Sequence, residues 1–163
     1  MRTNIHARTV SLAMASLLTI AYAATPHDVA MSLGLTECSS AATRLTYQMM
    51  HDNAMHLAIN LYCLLSLTFL CGARLRHMAV SLMIAMLIPA AILSARPTVG
   101  LSVFNFALTG MTISKSSKSL MLLAANMILL SVASLVADVA TPAHIYAIIS
   151  GFIYGELTTP KYE

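Results

Sequence analysis

The sequence predicts an all-α polytopic membrane protein, one embedded domain over residues 1–163 folded as a bundle of six transmembrane helices. Three observations lead there. Of 163 residues, 58% are hydrophobic and only 9% are charged, against about 25% charged in a soluble domain. The apolar residues fall into six runs, about 9–25, 55–73, 77–94, 98–114, 119–140 and 142–158. A helix needs roughly 17–25 residues to cross the hydrocarbon, so all six runs suffice, several only at the lower limit. The breaks between them (GARLRH, SARP, SKSSKS and ATP) are polar or turn-forming, and no hydrophilic stretch is long enough for a separate soluble domain.

The first run admits two readings. MRTNIHAR followed by an apolar core and Ala21-Tyr22-Ala23 has the layout of a secretory signal with an A-x-A cleavage site, yet multi-span proteins commonly keep such a segment as their first anchor. Residues 26–54 then form an external loop large enough to hold some packed structure. The second span opens with HDNAMHLAIN, the third carries Pro89 and is expected to kink there, and neighbouring helices can accommodate the kink. Arg2, Arg8, Arg74, Arg76, Lys115 and Lys118 lie on one set of loops, His77 belonging to the same basic stretch. This bias puts both termini in the cytoplasm and makes spans 2, 4 and 6 start from the outer side.

Several functions are disfavoured. A formal charge of +3 spread over loops orients the chain rather than binding nucleic acid. Cys38, Cys63 and Cys71 form no C-x-x-C pair, and the twelve methionines read as packing. No H-E-x-x-H motif is present and neither a metal nor another cofactor is expected, while the lack of an internal repeat and of midplane charges disfavours a small transporter or channel component.

The polar residues inside the apolar runs carry the functional argument. His56 and Asn60 begin span 2, Ser102 follows Gly100 at the start of span 4, and His144 begins span 6. With the three spans parallel, these four residues share one depth, and polar groups at that depth face a protein interior or water. His56 and Asn60, four apart, lie on one helical face, whereas His51 and His56 on a continuous helix would be about 140° apart. Two donors on one face suit a developing oxyanion. Ser102 needs a base to become a nucleophile, and His144 is the evident one. Phe106, one turn beyond Ser102, is placed to stack on an imidazole, while Asn105 and Asn126 read as ordinary interhelical hydrogen-bonding residues.

H-x4-H-x3-N in 51–60, G-L-S in 100–102 and A-H-I in 143–145 together resemble the rhomboid intramembrane serine proteases, over roughly residues 50–158. The resemblance implies Ser102 as nucleophile, His144 as general base, and His56 and Asn60 as oxyanion donors beside the Ser102 amide. It gives His51 a supporting role toward the site and its water, and makes Phe106 the aromatic that packs on the histidine. Gly110 and Gly151 match recurring glycines, and Gly151 with Gly155 forms a G-x-x-x-G face for close helix approach. The implied activity is endopeptidase cleavage of transmembrane or membrane-adjacent segments of other proteins. The implied partners are those substrates and the lipid bilayer; the compact six-span form points to a prokaryotic plasma membrane, and the charge bias opens the site to the outside. Val103 stands where the family usually has glycine, Ala147 replaces another glycine, and no tryptophan is present for the first-loop Trp-Arg signature. These departures leave open a catalytically inactive, rhomboid-like protein that binds transmembrane helices.

Overall fold

A computed structural model describes residues 5–113 and 141–158. Seven α-helices are found among them: α1 (Ile5–Ala24), α2 (His27–Ser32), α3 (Ala41–Thr46), α4 (Ala54–Phe69), α5 (Leu75–Met86), α6 (Ser102–Ile113) and α7 (Thr141–Thr158). Short 3-10 turns cover Tyr47–Met49 and Ala90–Ile92. Extended pairing among the described residues is limited to one antiparallel bridge between Leu35 and Thr98. The helical class is therefore as expected.

The six-span bundle is not. Only α1, 20 residues long, is both long and apolar enough to cross a membrane among the described residues. Helices α4, α5 and α6 are apolar but have 16, 12 and 12 residues, so at about 1.5 Å per residue the shorter two reach only about 18 Å. Helix α7 has 18 residues, but its apolar sequence is diluted by His144, Gly151, Gly155 and Glu156. The run 119–140, with Asn126 and Asp138, and Lys115 and Lys118 before it, lies outside the described residues.

Local chemistry explains the shortened helices. Helix α5 stops rather than kinks: Leu87 closes it, and Pro89 adopts φ −60° and ψ 132° before the next 3-10 turn. Proline lacks an N–H and disfavours the α conformation in the residue before it, so a helix ending here leaves fewer backbone groups stranded. Helix α6 starts late because Thr98 exchanges both backbone hydrogen bonds with Leu35, at 2.7 and 2.9 Å, and Gly100 sits at φ 100°. The α4 boundary is set by Asn53, whose side chain accepts from the His56 amide at 2.9 Å.

Hydrogen bonds fix how the helices run. Arg8 donates to the Phe69 carbonyl at 3.2 Å and Thr68 to Ser11 at 3.0 Å, so the start of α1 meets the end of α4. At the other end, His27 reaches Asp52 across 2.7 Å. Helices α4, α6 and α7 begin together, since His56 lies against Gly100 and Ser102 meets His144. Residues 26–53 pack over that end through α2, α3 and the Tyr47 turn. Tyr47 donates to the Ala85 carbonyl at 3.0 Å, and Arg44 to the Ile88 carbonyl at 2.6 Å. The loop therefore has the packed structure its size suggests. His77 is not a loop residue but is buried in the first turn of α5, where its Nδ1 accepts from the Arg74 amide at 3.1 Å.

Candidate active site

The start of α6 is built by two backbone devices. Gly100 donates its N–H to the Tyr47 carbonyl at 3.1 Å while holding a positive φ that L side chains rarely adopt. The chain then enters α6 at Ser102, which is 4% exposed. The first amides of any helix lack intrahelical acceptors, so backbone donors gather around this serine.

Helix α7 brings the histidine. Glycines make the approach possible: a Cβ on Gly151 would run into the Ala107 carbonyl, and one on Gly110 into the Ile148 carbonyl and Phe152 amide. Gly155 is buried on the same helix. At this close separation Ser102 Oγ lies 2.9 Å from His144 Nε2. In the tautomer protonated at Nδ1, Nε2 accepts from the hydroxyl, which is the arrangement a general base requires. Phe106 stacks on the His144 ring with centroids 4.4 Å apart and an interplanar angle of 23°. The stacking fixes the plane of the imidazole.

His56 and Asn60 converge from α4. A Cβ on Gly100 would fall 2.8 Å from His56 Nε2 and 3.5 Å from Asn60 Nδ2, so both nitrogens border the space two residues before the serine. Gly100 is thus tied to the donors by lack of a side chain as well as by its φ. Asn60 also donates to the His56 carbonyl at 3.0 Å. His56 Nδ1 is buried without a protein hydrogen-bond partner.

His51 departs from the helical-phase expectation. It lies before the Asn53 cap, outside α4, so the turn that a continuous helix would impose does not separate it from His56. The two rings instead meet edge-on with centroids 5.2 Å apart. Burial pushes the His51 imidazole down to about 4, the neighbouring His56 adds to the lowering, and the Met49 carbonyl opposes it. His51 is accordingly neutral at pH 7. Among the described residues no group of three or more His, Cys, Asp or Glu side chains has metal-binding geometry.

All ten expected residues are placed. Ser102, His144, Phe106, Gly100, His56 and Asn60 form one continuous group, His51 flanks it, Gly110 and Gly151 lie on the α6–α7 contact, and Gly155 is buried one turn beyond Gly151. Comparison with protein-family models, curated proteins and solved structures finds no match. The site therefore stands on its own geometry. One polar residue joined to it has a weaker sequence signal: Asn105 donates to both the backbone carbonyl and Oδ1 of Asn60. For Asn105 the usable signal is its position one helical turn after Ser102.

Proposed function

We propose that this protein is a serine endopeptidase acting on transmembrane or membrane-adjacent segments of other membrane proteins. The 2.9 Å contact between Ser102 Oγ and His144 Nε2 carries this reading. A buried serine–histidine contact next to convergent donors matches the requirements of acyl transfer, and the motif resemblance to rhomboid proteases supplies the substrate class. His144 takes the Ser102 proton as Oγ attacks the scissile carbonyl carbon. The resulting oxyanion is met by His56, Asn60 and the backbone amides at the start of α6. Protonated His144 then gives its proton to the leaving amine, the C–N bond breaks, and the acyl-enzyme remains. A water loses its proton to His144 and attacks the ester carbonyl; the bond to Ser102 Oγ then breaks as His144 returns that proton to it, releasing the new carboxylate terminus and restoring Ser102.

The membrane setting is supported by α1, which leaves Ile5, Leu12, Leu17 and Ile20 more than half exposed. Such a surface is suited to lipid or to another apolar helix. Arg8, Arg74 and Arg76 gather at the end remote from Ser102, so the positive-inside bias turns the site toward the outer face of a prokaryotic plasma membrane. A helix-binding protein without catalysis is the second reading, favoured by buried Val103 in the family's glycine position. Ser102→Ala separates the two: it should abolish cleavage of a reporter transmembrane substrate while expression and membrane association persist. Cleavage undiminished by that change would defeat the enzyme reading.

A further inference from the structure

We propose that Asn105 is a positioning residue that fixes which way the Asn60 amide points, an inference resting on the serine-hydrolase reading of this site. The hydrogen bonds force the assignment step by step. Asn105 Nδ2 lies 3.0 Å from the Asn60 backbone carbonyl, and a carbonyl can only accept. The nitrogen of Asn105 must therefore face that carbonyl. The same nitrogen lies 3.1 Å from the Asn60 side chain, so the atom it meets there has to be Oδ1. With Oδ1 occupied on the Asn105 side, Asn60 Nδ2 is left facing the His56 carbonyl, at 3.0 Å, and the space beside Gly100. Turned over, Asn60 would set nitrogen against nitrogen and point an oxygen lone pair at a developing oxyanion.

The location makes this control tight. Asn60 and Asn105 are both fully buried, so no bulk water competes for the amide. Asn105 is also one helical turn from Ser102 on α6, and its own amide is held by the Leu101 carbonyl at 3.0 Å. One short segment of α6 therefore carries the nucleophile and the group that aims the facing donor. A slide of α4 along α6 would break the Asn105–Asn60 contacts and turn the donor away from the serine. Interhelical adhesion alone needs one contact to Asn60; the bifurcated contact to backbone and side chain selects a rotamer.

The test uses the full chain in membranes and the rate at which a fluorophosphonate probe labels Ser102, because the probe's phosphoryl oxygen occupies the oxyanion position. Asn105→Leu should slow labelling about 10- to 100-fold, the scale of a misplaced catalytic group. In an Asn60→Ala background the same change should have almost no effect, since the donor it aims is gone. Asn105→Ala should behave alike, and covers the case in which the leucine variant does not fold. Thermal midpoints of all variants report adhesion separately. Equal slowing in both backgrounds would make Asn105 helix adhesive and overturn the positioning role. Absence of Ser102 labelling in the unmodified protein would instead sink the hydrolase reading, and this assignment with it.

Discussion

His144 and His77 are both buried histidines in the first turn of an apolar helix, and they face different partners. His77 is 1% exposed and its Nδ1 accepts the Arg74 amide, a donor stranded at the start of α5. His144 is 5% exposed, faces the Ser102 hydroxyl and is braced by the Phe106 ring. A backbone N–H cannot become a nucleophile, whereas a serine hydroxyl can. The partner decides the chemistry, and the burial of the two rings is nearly the same.

Substituting the two histidines is the largest test of that contrast. His144→Ala should lower turnover of a reporter substrate by about 10²–10⁴, the usual loss on removing a general base. His77→Ala should leave the rate per folded molecule unchanged and lower stability by about 1 kcal/mol, as for a lost helix cap. Rate assays paired with thermal denaturation separate these effects, and similar rate losses in both variants would erase the distinction.

The two positive-φ glycines repeat the comparison at the same two ends of the molecule. A Cβ at Gly72, where φ is 70°, would meet nothing within 4 Å, so Gly72→Ala should cost about 1–2 kcal/mol of stability and no activity. A Cβ at Gly100, where φ is 100°, would come within 2.7 Å of His56 Cε1. Gly100→Ala should therefore displace an oxyanion donor and cost about 10²–10³ in rate in addition to stability. Equal rates for the two variants would separate Gly100 from the site.

Acid sensitivity gives the smallest effect. The hydrogen bond from His27 holds the Asp52 carboxyl below its ordinary value, against a partial desolvation that raises it, with Asn53 adding a second lowering contact. A carboxylate depressed in the folded state contributes stability above its unfolded pKa and loses it as pH falls through the folded one. Asp52→Asn should accordingly flatten the stability profile in that acid range by no more than about 1 kcal/mol, since the pair is exposed to solvent. Denaturation at neutral pH and across that acid range would measure it.

Much of the site is legible in the sequence because its residue types are rare in apolar helices. Serine, histidine and asparagine at the starts of three runs stand out against leucine and isoleucine, and parallel starts bring them to one level. The fold is less legible. Apolar runs mark burial without marking helix length, and Pro89, Gly100 and the Leu35–Thr98 pairing shorten helices inside runs that composition leaves continuous. His51 shows the same limit: helical phase misplaces it because the Asn53 cap lies between it and His56. Asn105 reads in sequence as a plain interhelical contact, and its second bond to the Asn60 side chain becomes visible only when α4 and α6 are set side by side.

In the proposed mechanism Ser102 reacts because His144 takes its proton. Mass-spectrometric mapping of fluorophosphonate label on the full chain in membranes tests this most directly. Label is expected on Ser102 in the unmodified protein and in His77→Ala, and should be lost in His144→Ala. Label on Ser102 that survives removal of His144, or none on Ser102 at all, would contradict it.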